Sequence, residues 1–308
     1  MFSPSPLSSP TGATLAIRLS PATGNAKGIV QINHGMAEHC GRYARFAAAL
    51  NARGWHAIAH DHRGHGQTTA PDAPQGVFAA SNGHDKVLED CRAVNHHARK
   101  IWPNLPLVLF GHSMGSIIGL NYCIRHSDTI DGAVLWNSGA DAGMLLSILV
   151  ALLKIERMFK GSDVPSAIAA KLTFEAWNKA FAPNRTAFDW LSRDEAEVDR
   201  YVADPQCGFP CSSGLWLDLT QMIAAGASDR ELARIRRDLP IYLLGGEADP
   251  CSDHGKAMLR LADRLRLIGA TDLTVRTLPD TRHETLNEIN RDEETALLCH
   301  WLEARFEK

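Results

Sequence analysis

Three residues scattered along the chain have the types and settings needed for acyl transfer: Ser113, Asp249 and His283. Ser113 is the centre of Gly111-His112-Ser113-Met114-Gly115, a G-x-S-x-G. A Ser hydroxyl is a weak nucleophile until a His takes its proton, and that His needs a carboxylate to fix its tautomer. Each of the three follows an apolar run directly: 105–110 before Ser113, 240–244 before Asp249, and 273–277 before His283. In an open parallel sheet such positions meet at the carboxyl ends of the strands. Asp253, Asp280 and Glu247 are the rival carboxylates. Most other His residues have duller settings: His96, His97, His126 and His300 fall on helical patterns, and His112 precedes the nucleophile and positions it.

A tetrahedral intermediate needs two donors for its oxyanion. The backbone N–H of Met114, just after the nucleophile, is one candidate. The other is the N–H of Met36, after His34-Gly35 at the end of the strand 28–33. His60, His62 and His65 lie close together in sequence but lack the i, i+4 helical pair or Cys cluster of a metal site, so no metal and no cofactor is expected. Asp61 and Arg63 are expected to pair beneath that loop.

The elements that must position these groups alternate. Strand patterns at 14–19 (an edge strand), 28–33, 55–59, 105–110 and 130–136 are separated by helical patterns at 43–50, 82–102 and 117–124. This order predicts a parallel α/β sheet. The alternation stops after 136, and no further strand pattern appears before 239–244. About a hundred residues exceed any ordinary crossover, so part of them must be an inserted helical cap. The expected division is a core of 1–140 and 213–308 with a cap of 141–212. Residues 144–153 are the most apolar stretch in the cap. Two readings stay open for them: a helix packed on the core or on a second copy, and a lid whose Leu149 and Leu152 meet an acyl chain, in transient contact with a membrane surface. Residues 166–181 form a second cap helix with Phe174, Trp177 and Phe181.

The chain order Ser, Asp, His is that of the α/β-hydrolase fold. The runs His34-Gly35-Met36-Ala37-Glu38-His39 with Arg42-Tyr43, Asp61-His62-Arg63-Gly64-His65-Gly66-Gln67 and Gly111-His112-Ser113-Met114-Gly115 resemble the monoglyceride lipase and lysophospholipase family of that fold. The resemblance is specific over the first 120 residues or so and over the Asp and His loops, and fades across the cap. It implies Ser113, Asp249 and His283 as triad, the Met36 and Met114 amides as oxyanion hole, and Glu38 and Arg42 near the polar end of the substrate. A salt bridge that merely holds the loop is an equal reading of that last pair. Two positions depart from the family pattern: Leu286 stands where a second His is usual, and Ser116 where Gly is commoner.

Bulk properties narrow the field. The net charge of −3 gives no basic footprint for nucleic acid. Seven Cys at scattered positions form no C-x-x-C and read as reduced thiols. Residues 1–12 are rich in Ser and Pro and lack the pattern of a secretory leader, so a cytoplasmic location is expected. The expected activity is hydrolysis of monoacylglycerols, lysophospholipids or similar medium-chain esters through an acyl-enzyme, with a small lipid-like ester as partner. An aminopeptidase or amidase would instead need an acidic cluster, for which Glu195, Glu197 and Asp199 are the candidates. A non-catalytic binding protein would have no need of the base.

Overall fold

The computed structural model describes residues 2–139 and 143–307. The expected boundary between core and cap at 140/141 lies outside them, as do Met1 and Lys308. Eight strands form one sheet: β1 (Pro4–Ser8), β2 (Thr14–Ser20), β3 (Gly28–Asn33), β4 (Trp55–His60), β5 (Leu107–His112), β6 (Gly132–Trp136), β7 (Ile241–Gly246) and β8 (Leu273–Leu278), in the order β1-β2-β4-β3-β5-β6-β7-β8. From β4 to β8 all pairings are parallel. β3 to β7 are buried along their whole length, which is why they read as continuous apolar runs. The expected edge strand is not an edge: β2 pairs antiparallel with β4 on one side and with β1 on the other. The five residues of β1, Pro-Ser-Pro-Leu-Ser, are mostly exposed and carry no apolar alternation to announce a strand.

Helices cover both faces. α1 (Ala44–Ala52) and α11 (Arg291–Phe306) bury Phe46, Leu50, Leu298 and Trp301 against one face. α2 (Gly83–Ile101), α3 (Met114–His126), α8 (Ser213–Gly226) and α10 (Lys256–Leu267) cover the other. Between β6 and β7 run α4 (Met144–Lys160), α5 (Ala167–Ala170), a π-helical turn over Lys171–Glu175, α6 (Ala176–Lys179), α7 (Glu195–Ala203), then α8 and α9 (Asp229–Leu232). The expected helix over 166–181 is therefore interrupted by the π turn and ends at Lys179, ahead of Pro183. α7 is capped by the Asp194 side chain and α8 by that of Ser212.

Chain order reverses between β3 and β5, and ligands of such sheets bind in the crevice outside the strand ends at that point. Asn33 lies beside Gly111 there, so the loops that follow the two strands start together. Behind this crevice four imidazoles pack on one another. Ring centroids are 4.4 Å apart for His34–His62, 5.3 Å for His34–His65 and 4.6 Å for His60–His62. Asp61 and Arg63 do not pair, contrary to expectation. Asp61 accepts the Cys40 and Gln67 amides, both at 2.8 Å. Arg63 runs to Asp72 and Asp90. Two backbone donors of a tight crossover out-compete a guanidinium that can reach two other carboxylates.

Burial lowers the pKa of all four imidazoles, to about 3 for His60 and His65. Unfolded, each would take a proton near pH 6.5. The unfolded chain therefore binds more protons between the two values, and stability is lost as pH falls below the unfolded value. Each such imidazole adds about 1.4 kcal/mol per pH unit to the slope. The melting temperature should fall steeply between about pH 6.5 and about pH 4.5, and thermal scans across that window would refute the reading if they were flat.

Candidate active site

β5 delivers Ser113 on a sharp turn into α3. Its backbone sits at φ +55° and ψ −120°, a conformation a non-glycine residue holds at a cost of about 1–3 kcal/mol. The flanking glycines make the turn sterically feasible. A Cβ on Gly111 would lie 2.2 Å from the Gly115 carbonyl oxygen, and one on Gly115 would lie 2.2 Å from that of Asn33. α3 thus begins directly against the end of β3. A Cβ on Gly35 would come 3.4 Å from Ser113 Cβ, so the loop after β3 lies against Ser113. Met36 lines the same cavity as Ser113, and Met114 is the first residue of α3. Among the described residues, neither backbone N–H donates to another group of the chain.

The loop after β7 brings Asp249 to His283. His283 Nδ1 donates to Asp249 Oδ1 at 3.0 Å, with both residues buried. That bond occupies Nδ1 and leaves Nε2 as the basic nitrogen. Burial alone would raise the Asp249 carboxyl; the adjacent His283 and the Cys251 N–H hold it below the usual carboxylate value. Asn137 Nδ2 donates to its second oxygen at 3.4 Å. The rival acids lie elsewhere. Asp253 is exposed and pairs with Arg260, Asp280 is exposed, and Glu247 accepts from Thr277.

Glu38, Arg42 and Glu284 form a buried ionic cluster beside these groups. Arg42 donates to both Glu284 oxygens at 2.6 and 2.7 Å and also to Glu38. Glu38 further accepts the Gly35 N–H and, at 2.9 Å, the Tyr43 hydroxyl. Burial opposes ionisation of Glu38, but Arg42 and His112 hold its carboxyl well below the ordinary value. His112 shows the opposite response: burial would lower it, and Glu38 raises it. His112 Nε2 donates to the His283 carbonyl at 2.9 Å. The pair singled out in the sequence therefore braces the loop after β3, with Glu284 as its unforeseen third member. A carboxylate next to the candidate base was the available signal.

Ser113 and His283 open onto a cavity of about 40 Å³. Its walls include Phe174, Phe188, Trp190, Leu191, Tyr201 and Phe209, all from the segment between β6 and α8. Leu149 and Leu152 do not line it. Leu149 packs on the apolar core and Leu152 is half-buried, because α4 lies on α8 through the buried Leu153. Apolarity marked α4 as a covering helix, but the aromatic segments after it line the cavity that Ser113 borders. The acids Glu195, Glu197 and Asp199 do not line the cavity either. Glu197 pairs with Arg45 and Arg200, and Asp199 with Arg185. His60, His62 and Cys91 bring donor atoms within 4.8 Å of one another. Burial pushes the Cys91 thiol well up, away from the thiolate a metal would require, and its proton faces Asn33.

Residues 24–290 match the family model for serine aminopeptidase, S33. The monoglyceride lipase of Homo sapiens is 30% identical over 294 residues, covering 91% of this chain and 86% of that protein. The monoacylglycerol lipase of Mycolicibacterium smegmatis is 28% identical over 264 residues, covering 85% and 83%. Among solved structures, a thermostable carboxyl esterase from Bacillus coagulans superposes with a TM-score of 0.90 at 24% identity, over 99% of this chain and 98% of that one. A monoglyceride lipase from Saccharomyces cerevisiae superposes at 0.78 with 17% identity, over 100% and 96%. These superpositions establish an α/β-hydrolase fold. With a family model spanning most of its length and a human relative at 30% identity, the chain belongs to the serine aminopeptidase S33 family of α/β hydrolases, together with the monoglyceride lipases.

Proposed function

We propose that this carboxylic-ester hydrolase cleaves monoacylglycerols and similar medium-chain acyl esters through an acyl-enzyme on Ser113. The observation that carries the reading is that His283, tied to the buried Asp249, and the strained Ser113 open together onto one aromatic cavity. Ser113 Oγ attacks the ester carbonyl while His283 Nε2 takes its proton. Asp249 holds the imidazole and stabilises its charge. The Met36 and Met114 amides receive the oxyanion, aided by the N-terminus of α3. His283 then protonates the departing alcohol, and water attacks the acyl-enzyme by the same route in reverse. Residues 141–212 act as the cap, with the aromatic wall holding the acyl chain and excluding water.

A cavity of about 40 Å³ is far smaller than the roughly 300–1,000 Å³ of a drug-sized ligand site. On this reading the walls of the cap move to admit an acyl chain. The aminopeptidase reading is less well supported, because both carboxylates at the cavity, Glu38 and Glu284, are already bound to Arg42. On α4, Met144, Ile148, Ile155, Met158 and Phe159 are exposed, and Lys154, Arg157 and Lys160 stand among them. An apolar helix face with a basic margin suits the surface of an anionic bilayer. Among the described residues no helix is long and apolar enough to cross a membrane.

Ser113→Ala should fold normally, lose about 10³-fold or more in esterase rate, and no longer react with a fluorophosphonate. Asp249→Asn should lose most of kcat, while Asp253→Asn and Asp280→Asn stay near wild type. A crippling loss in either of the latter would displace Asp249 from the triad. Each acyl methylene buried against the wall adds about 0.8 kcal/mol, roughly fourfold in kcat/KM, until the pocket is full. Phe209→Ala should flatten that dependence on chain length. Leu149→Ser with Leu152→Ser should lower the melting temperature and leave the slope as it was; the reverse pattern would return α4 to the acyl site. Wild-type protein should sediment with phosphatidylserine-containing vesicles, and Met158→Glu with Phe159→Glu should stay in the supernatant. Equal sedimentation of the two would refute the lipid-facing role of α4.

A further inference from the structure

A hydrogen bond to one ring nitrogen fixes a point on an imidazole and leaves the plane of the ring to be set by its neighbours. His283 is tied to Asp249 through Nδ1, and the Trp190 indole packs on its ring, with centroids 4.6 Å apart and planes inclined at 36°. The His112 ring lies 4.9 Å away. Trp190 is itself held. Its backbone N–H donates to Asn178 Oδ1 at 3.1 Å, while its indole is held by packing alone: Phe174 stacks on it with centroids 5.8 Å apart, and Trp177 lies 5.0 Å off. Only 4% of its surface is exposed.

The backbone around Trp190 is tied to the loop that carries His283. The Glu284 N–H donates to the Leu191 carbonyl at 2.7 Å, and the His283 N–H points to that of Trp190 at 3.5 Å. Arg282 Nη1 donates to the carbonyls of Asp189 and Ser192 at 2.6 and 3.0 Å. Farther along, Arg193 Nε meets Glu288 at 2.9 Å and Arg291 meets Asp194 at 2.6 Å. These contacts lie on both sides of His283. A wall that only covered substrate would need apolar bulk here. It would have no use for a set of directional bonds to the base's own backbone.

We propose that Trp190, latched through 189–194 to 282–291, is a positioning residue that sets the plane of the His283 imidazole, so that this part of the cap helps build the base as well as covering the acyl chain. The proposal rests on the reading of His283 as base. It divides the cap's work. Phe209 faces the acyl site and packs on His65, away from His283, whereas Trp190 acts on every substrate, including esters too short to reach the aromatic wall.

The test uses p-nitrophenyl acetate together with the rate of fluorophosphonate labelling of Ser113, which needs an oriented base but no acyl pocket. Trp190→Phe keeps a flat ring and should hold kcat within about threefold of wild type. Trp190→Leu keeps apolar bulk without the flat face. It should lower kcat and the labelling rate by about tenfold or more, with KM within about twofold, because misorientation of a catalytic group is felt in kcat. Arg282→Gln, which cuts the latch and leaves the indole, should show the same split. Wild-type labelling of Trp190→Leu, with only KM for long-chain esters altered, would overturn the proposal. Should that variant fail to fold in a thermal scan, Arg282→Gln decides, and a wild-type labelling rate there overturns it equally. Unmodified protein that resists the phosphonate altogether would instead refute the Ser113–His283 reading, and this proposal with it.

Discussion

The close approach of α3 to β3 is the constraint on which the rest of the site depends. With Gly115 pressed on the Asn33 carbonyl and Gly111 on that of Gly115, the helix N-terminus and the loop after β3 meet at one point. The strain at Ser113, about 1–3 kcal/mol, persists because β5 and most of α3 are buried and cannot relax around it. Once that contact exists, Ser113 and the loop carrying Met36 border the same cavity. Any side chain at either glycine would separate them. The Ser hydroxyl, the loop after β3 and the dipole of α3 are thus consequences of one packing decision.

Low polarisability behind this crevice explains the ionic arrangement. Charges are few there, and each has its partner. Arg42 answers Glu38 and Glu284, and Asp61 answers two amides. Burial disfavours protonation of the His34, His60, His62 and His65 rings, which pack on one another at tilted and edge-on angles. A buried pair tolerates removal of one member poorly, because the other is left as an uncompensated charge. The family motif over 61–67 therefore reads as scaffold: it stiffens the floor on which the loop carrying Met36 rests, and His34 Nε2 takes the His62 N–H at 2.9 Å.

Much of this was legible in the sequence, for physical reasons that can be named. β3 to β7 are buried on both faces, so their apolar runs were continuous. Ser113 and Asp249 each followed one directly, and His283 followed the half-buried β8. Burial on two faces writes itself into composition, whereas exposure does not. β1 consists of Pro, Ser and one Leu and pairs through backbone groups that no side-chain pattern reports. The role of α4 stayed open in the sequence for a related cause: apolar content shows that a helix covers something, not which surface it covers. Hydrogen bonds between segments far apart in sequence left no periodic trace at all. Glu284 and Arg42 are 242 positions apart, and the backbone contact from Glu284 to Leu191 could have been made by any residue types.

The cap's aromatic rings carry two loads that cannot be varied independently. Phe174, Trp177 and Trp190 stack among themselves, and Phe174 and Trp190 face the cavity as Trp190 meets His283. Widening the pocket at Phe174 would remove a neighbour that holds Trp190, and so loosen the imidazole. Widening it at Phe209 leaves that stack alone, since Phe209 packs on His65 from the opposite loop. With His283 as the proposed base, changes in acyl specificity that leave the rate of chemistry intact would be confined to the Phe209 side of the cavity. The Trp190 side ties specificity to the orientation of the base.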